Sequence, residues 1–283
     1  MTTDSILLAG PAQCDDEPDL LVSTVRSPAD LGRFHRAGRL HWSRERNLLR
    51  IAHPYSPADI SDAVVVEELT TLVEVGAISG QEEFEATAAE FVGGCADNPR
   101  DGWLGFYANS VRELRAGAVP FSAVHRRARR LLVGESVLEV GCCFGFFALQ
   151  CASDGFDVTA TDICAGALDL LDEAARDLGV GVQTALSDVR SLRFPDNRFD
   201  TVTMIHLLEH LAPVDVDAAI AECCRVARRR VVIAVPYEDE VSPHFGHRTI
   251  LRERDLDGWA TRLPGLRTTI FSEHGGWLVI DLD

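Results

Sequence analysis

The sequence has no apolar run approaching the ~20 residues that a bilayer-spanning helix needs, which argues against a membrane span. The N-terminal Ile6-Leu7-Leu8-Ala9-Gly10 is too short, and too acidic in its flanks, for a secretory signal peptide. No C-x-x-C pair occurs among the eight cysteines, so neither a zinc ribbon nor a thioredoxin-type motif is indicated. Positive charge is also scarce: 27 basic residues stand against 44 acidic ones, for a net charge of −17. A chain this acidic repels phosphate backbones and anionic lipid unless basic residues are locally concentrated. Only His125-Arg126-Arg127-Ala128-Arg129-Arg130 and Arg228-Arg229-Arg230 come near that condition, and both read as solvated ends of packed elements. Nucleic acid is therefore not an expected partner. The expected compartment is the reduced cytoplasm, with the cysteines acting as small apolar residues.

What is present is an ordinary globular composition, 46% hydrophobic and 25% charged over 283 residues, enough for one large domain or a domain with an appendage. Residues 1–34 carry Pro11, Asp15, Asp16, Glu17, Pro18 and Pro28, and read as poorly ordered or loosely attached. Leu40-His41-Trp42 and Leu48-Leu49-Arg50-Ile51 flank a polar stretch and predict a hairpin. Ser56-Pro57-Ala58-Asp59 has the form of a helix start, running through Val65, Leu69 and Leu72 to Gly76. Further helices are expected from Ser79-Gly80 to Gly93-Gly94, over 103–116, and from Pro120. Residues 1–118 thus form a mainly helical N-terminal region, and 119–283 a second domain.

The second domain is organised around 135–161. Val137-Leu138-Glu139-Val140 is a buried strand, Gly141 and Gly145 break it, a helix follows, and Asp157-Val158-Thr159-Ala160-Thr161 is a second strand ending at Asp162. Strand, glycine turn, helix, strand and acidic residue make the start of a nucleotide-binding βαβ unit, in which the carboxylate can accept from ribose hydroxyls. The dinucleotide spacing G-x-G-x-x-G is absent, and on the turn alone a buried βαβ unit without ligand stays open. Beyond Asp162 the alternation continues. Helices are expected over 165–178 and 214–227, strands over 182–185, 199–204 and 231–235. A helix near 252–261 precedes two strands, 267–271 and 277–281, close enough to pair. Alternating elements make a parallel, doubly wound sheet.

The turn, Glu139-x-Gly141-x-Cys143-x-Gly145, resembles that of class I S-adenosylmethionine (SAM) methyltransferases, with Cys143 where that family has its middle glycine. The resemblance implies an α/β fold, a seven-stranded doubly wound Rossmann-like methyltransferase sheet closed by a hairpin, with the N-terminal region covering the substrate mouth. It further implies that Gly141, Cys143 and Gly145 lie under the methionine and ribose of SAM, with Glu139 bracing the turn. Asp162 would take the ribose hydroxyls, Ile163 would stack on adenine, and Asp188 and Val189 would meet its amino edge.

The segment Met204-Ile205-His206-Leu207-Leu208-Glu209-His210 ends the next strand, where ligands of open α/β sheets bind. On a helical turn His206, Glu209 and His210 share one face and suit a divalent cation, with a fourth donor available from 243–247. The pattern resembles the E-x-x-E-H plus later His site of small-RNA 2′-O-methyltransferases and ubiquinone-pathway O-methyltransferases, His247 being the later histidine. His206 replaces the first Glu, which favours zinc or another transition metal over magnesium, with manganese also open. Without a metal, His206 or His210 is the best general base. A Glu-His pair that merely fastens the turn remains an equal alternative. His35, His41, His53 and His125 read as structural.

A closer resemblance is carried by His206-Leu-Leu-Glu-His210, Val235-Pro-Tyr-Glu-Asp-Glu240, Gly246-His247 and Glu273-His-Gly-Gly-Trp-Leu-Val279. Together with Gly141-Cys-Cys-Phe-Gly-Phe146 they look like the actinobacterial mycofactocin oligosaccharide methyltransferases. That implies methyl transfer to a sugar 2-hydroxyl in a β-1,4-glucose chain, with Trp277 and Tyr237 able to stack on a glucose ring, core packing being an equal alternative for Trp277 in a terminal strand. Other readings are methylation of a small amine or phenol, and a non-catalytic SAM-binding protein.

Overall fold

In a computed structural model of the chain, residues 21–26 and 34–282 are described. Their contacts divide them into two compact units. Residues 113–242 and 247–282 form one, and residues up to Arg112 together with Pro243–Gly246 form the other.

The N-terminal unit opens with a four-stranded sheet, β1 (Leu21–Arg26), β2 (His35–Ala37), β3 (Leu40–Glu45) and β4 (Leu48–His53), in the order β1-β4-β3-β2. The β3–β4 hairpin is the one its apolar flanks predict, and Arg46 turns it with a left-handed φ of 57°. Strand β1 pairs parallel to β4, from Leu21↔Leu48 to Arg26↔His53, so residues 21–26 are not loosely attached. The remainder of that expectation, 1–20 and 27–33, lies outside the described residues. The helices are α1 (Asp62–Glu74), α2 (Gly80–Gly93) and α3 (Pro99–Ala116). The N-terminal region thus adds a four-stranded sheet to its three helices, where the sequence predicts a single hairpin.

Helix α1 starts five residues later than its Ser-Pro signal suggests. Ser56 and Asp59 close a turn on each other, Oγ donating to Oδ2 at 2.5 Å. Ser61 is the N-cap instead, accepting from the Val64 amide at 3.4 Å. A polar cap of this kind contributes about 1 kcal/mol. Leu49, Ile51, Leu69, Leu72, Phe84 and Phe91 fill the core of this unit.

The second unit holds α4 (Ser122–Leu131), β5 (Ser136–Val140), α5 (Phe146–Ser153), β6 (Asp157–Asp162), α6 (Ala165–Leu178) and β7 (Val182–Leu186). It continues with β8 (Phe199–Ile205), α7 (Pro213–Val226), β9 (Ala227–Val235), α8 (Glu253–Thr261), β10 (Arg267–Ser272) and β11 (Gly276–Asp281). These strands make one seven-stranded sheet in the order β10-β11-β9-β8-β5-β6-β7. Strands β5 to β9 run parallel, and β11 is antiparallel to both β9 and β10. The expected seven-stranded, doubly wound α/β sheet with its closing hairpin is present.

The path leaves β5 toward β6 and β7, then returns to β8 on the other side of β5. That reversal makes the carboxyl ends of β5 and β8 the topological switch point, where such sheets bind ligands. All seven residues of β8 are buried, as a central strand requires. Its polar members are paired: Thr203 Oγ1 donates to the Leu138 carbonyl at 3.2 Å. Asp200 accepts from the Glu135 and Ser136 amides at 2.9 and 3.1 Å.

Strand β9 begins four residues earlier than its apolar run predicts, taking in the arginine triplet. Arg228 pairs with Asp200, and Arg230 Nε meets Asp281 Oδ1 at 2.8 Å. Two of the three arginines are therefore strand residues with fixed carboxylate partners, not a solvated lead-in.

Candidate functional site

At the end of β5 the chain turns through Gly141, Cys143 and Gly145, with φ of 69°, 50° and 66°. Two of these left-handed positions are glycine, which adopts them freely; at Cys143 an L side chain is strained by roughly 1–2 kcal/mol. A Cβ on Gly141 would stand 2.6 Å from Leu207 Cδ1, and one on Gly145 would collide with Leu171. Both glycines therefore admit the protein's own leucines as well as the turn's backbone, a packing role that the ligand-approach argument from sequence omits.

Glu139 is buried and accepts from the Ala148 amide, Oε2 to N 2.9 Å, tying the strand to the first turn of α5. Burial pushes its carboxyl up to about 8, against the pull of that hydrogen bond and with help from Asp162. The group is thus neutral at pH 7 and braces the turn without adding charge.

Asp162, at the end of β6, is buried and accepts two backbone hydrogen bonds. The Cys143 amide reaches Oδ2 at 2.8 Å and the Cys164 amide reaches Oδ1 at 2.9 Å. Its carboxyl is raised by burial, opposed by these amides. Asp162 thereby joins the glycine turn to the β6–α6 turn, with the Ile163 amide also turned toward its carboxyl. Ile163 beside it is 76% exposed, an uncommon position for isoleucine and one suited to a flat ring. Val189 is buried. Asp188 is held by Arg190, whose Nε lies 3.0 Å from Oδ1 and Nη2 2.6 Å from Oδ2; that guanidinium keeps the carboxyl below its usual range. Arg190 also reaches Asp215 at 3.3 Å.

The end of β8 departs from the helical turn that the spacing suggests. His206 has a left-handed φ of 54°, and its amide donates to the Ala234 carbonyl at 2.9 Å. Only Leu208–His210 form a short 3-10 turn. His206 therefore precedes the turn rather than sharing a helical face with Glu209 and His210. One donor atom each from Glu209, His210 and His247 lies within 4.8 Å of the others, and His206 is not in that group. His206 instead stands edge-on to Phe121 at 4.9 Å, with Nδ1 3.6 Å from Glu209 Oε1.

His247 arrives on the loop after β9. Its ring is edge-on to His210 at 4.8 Å, and its Nδ1 lies 2.6 Å from Glu238 Oε2. Arg248 N–H donates to the Glu209 carbonyl at 2.9 Å, fastening this loop to the 3-10 turn. Two imidazoles and one carboxylate, with a second carboxylate behind a histidine, form a donor set that fits a divalent cation. Glu238 is the functional candidate that sequence reasoning missed. It lies in irregular chain among Asp239 and Glu240, where no periodicity separates a buried carboxylate from exposed ones.

His125 has a packing role. His125 is buried, its Nδ1 2.8 Å from Gln150 Nε2, and burial, with His206 and Arg129 nearby, pushes it down to about 3. Trp277 is buried, donates to the Glu273 carbonyl at 2.8 Å and stacks on Phe271, so it is core rather than a platform for a sugar. Tyr237 is half-buried, and its ring fills the space beside Gly276.

Among the described residues no helix is long and apolar enough to cross a membrane. Residues 138–235 match the methyltransferase domain family. A ubiquinone biosynthesis O-methyltransferase from Alkalilimnicola ehrlichii is 34% identical over 149 residues, 46% of this chain and 60% of that protein. The chloroplastic magnesium protoporphyrin IX methyltransferase of Arabidopsis thaliana is 27% identical over 161 residues, 50% of this chain and 52% of that protein. A solved SAM-dependent methyltransferase from Archaeoglobus fulgidus overlays on 56% of this chain and 93% of its own, with 18% identity and a TM-score of 0.46. The matched portions span less than two thirds of these curated relatives. The segment from β5 to β9, which carries the glycine turn, Asp162 and the Glu209–His210 turn, is thus the part of the chain that matches a methyltransferase domain.

Proposed function

We propose that the chain is a SAM-dependent O-methyltransferase that methylates a sugar hydroxyl. The observation that carries the SAM reading is the Asp162 carboxylate between the Cys143 and Cys164 amides, beside the exposed Ile163, at the switch point of a methyltransferase sheet. In this reading the ribose hydroxyls meet the Asp162 carboxylate. Adenine lies on Ile163, with its amino edge toward Asp188 and Val189. Gly141 to Gly145 pass beneath the methionine.

The acceptor is placed at the end of β8. An attacking hydroxyl displaces the methyl group from the sulfonium: the C–O bond forms, the C–S bond breaks and S-adenosylhomocysteine departs. The hydroxyl proton goes to an imidazole, and His206, with Glu209 beside its Nδ1, is the candidate acceptor. Glu209, His210 and His247 would hold a divalent cation, zinc or manganese before magnesium given two imidazoles, which when bound lowers the pKa of a hydroxyl. The Alkalilimnicola relative is an O-methyltransferase, which supports oxygen as the methylated atom here. The glycan, a β-1,4-glucose chain of the mycofactocin type methylated at a 2-hydroxyl, rests on the resemblance of the C-terminal motifs. A non-membrane, cytoplasmic setting agrees with this substrate class and with the burial of most of the described cysteines as small apolar residues.

Methyl-labelled SAM incubated with β-1,4-linked glucose oligomers tests this. Labelled sugar, lost with EDTA and restored by a divalent ion, is the expected result. Transfer that ignores EDTA keeps the glycan and removes the cation. Transfer only to phenols or amines overturns the sugar reading.

A further inference from the structure

The loop after β9 contains a buried acid that neither the sheet nor the SAM site uses. Pro236 ends the strand, and Glu238 follows, 7% exposed, while its neighbours Asp239 and Glu240 face solvent. Burying a carboxylate in irregular chain is unfavourable unless its oxygens are bonded. Both are: Ser242 Oγ donates to Oε1 at 2.8 Å and His247 Nδ1 meets Oε2 at 2.6 Å. The Glu238 carbonyl accepts from Arg252, and the His247 amide donates to the Ser242 carbonyl at 3.3 Å. The loop closes on itself around Glu238.

We infer that Glu238 is the positioning residue for His247, fixing its ring as the Nδ1–H tautomer and presenting Nε2 to Glu209 and His210. The Glu238 carboxyl already accepts from Ser242 at Oε1, and we assign it the same accepting role at Oε2, which puts the proton of the 2.6 Å contact on Nδ1. A neutral imidazole protonated there has its lone pair on Nε2 alone. Ser242 sets the angle of the carboxylate, and the Arg248-to-Glu209 bond sets the distance of the loop from the 3-10 turn. A carboxylate behind a histidine in this way fixes ring orientation and raises ligand basicity. The inference deepens the reading of Glu209, His210 and His247 as a cation site, and rests on it for its purpose but not for its tautomer.

Long-range 1H–15N spectra of the full-length protein, with His247 assigned from a His247→Gln variant, read the tautomer directly. The wild type is expected to show Nδ1 protonated and Nε2 bare. Glu238→Ala is expected to convert His247 to a tautomer mixture, with His125 unchanged as the control for folding. In parallel, Co2+ is titrated by visible absorbance. Glu238→Ala is expected to weaken binding about 10- to 100-fold, with Glu238→Gln between it and wild type. A wild-type His247 protonated on Nε2 or on both nitrogens overturns the inference. So does a Glu238→Ala protein whose His247 spectrum is that of wild type. A wild type that shows the Nδ1–H tautomer, loses it in Glu238→Ala, and binds no Co2+ sinks the cation reading while supporting the positioning role.

Discussion

Gly145 shows why one residue type recurs at one place in this chain. Its φ of 66° and the Leu171 side chain in the space of its absent Cβ are independent reasons against any other residue. Gly145→Ala is expected to lose about 1–3 kcal/mol in urea unfolding, because strain and overlap add. Glu139 makes a different prediction. Its carboxyl is raised from 4.5 to about 8 by burial, so the folded state holds its proton where the unfolded chain has released it. The resulting stability is complete below about pH 4.5, falls as pH rises, and is gone above about pH 8. Glu139→Gln should remove that slope, so the wild-type minus variant difference in unfolding free energy should decline across the window and then level off. A difference that rises with pH would contradict the assignment. At this scale the sequence is informative: Glu139, Gly141, Gly145 and Asp162 lie where the motif puts them. Glu238 is not legible, because its burial in a loop depends on partners four, nine and fourteen residues along the chain, with no periodicity to mark them.

Elements were readable where one periodicity dominates, and less so where side chains override it. The strands and helices from β5 to α7 follow their apolar patterns to within a residue or so. Helix α1 does not, because Ser56 and Asp59 satisfy each other in a turn and leave Ser61 to cap. The histidine-bearing segment also departs, since three residues of 3-10 turn cannot place His206 over Glu209 as a full helical turn would. Strand β9 extends through three arginines because carboxylates wait for two of them. Asp200 is the central of these. Burial would raise its carboxyl, but Arg228, two amides and the Ser136 hydroxyl hold it well below the usual range. Asp200→Asn keeps the shape but removes the charge facing Arg228, and its single oxygen can serve the two amides or Arg228 but not both. A loss of about 2–4 kcal/mol is expected, read as a lower urea midpoint with an unchanged slope. Loss under 0.5 kcal/mol would mean that the β5–β8 junction is held by packing alone.

For the whole molecule, the sequence made the second unit legible and the first only in part. The methyltransferase sheet has a repeating strand–helix grammar and a turn with a mechanism. The N-terminal unit combines a parallel β1–β4 pair with helices, and its first strand comes from a stretch whose proline and acid suggested no structure. On the proposed function, cofactor binding falls to Asp162 and Ile163 and the chemistry to Glu209 and His206. Glu209→Gln should therefore lower kcat by about 100-fold or more with little change in SAM affinity. Equal losses in both would show that Glu209 supports the fold rather than the reaction.

The most direct test of the central claim is calorimetric titration of S-adenosylhomocysteine into the wild type and into Ile163→Asp. Ile163 is 76% exposed, so its substitution should leave the unfolding temperature in place. The account predicts saturable one-to-one binding that weakens at least about tenfold in the variant, equivalent to about 1.4 kcal/mol. A wild type that binds nothing, or a variant that binds as tightly, would contradict it.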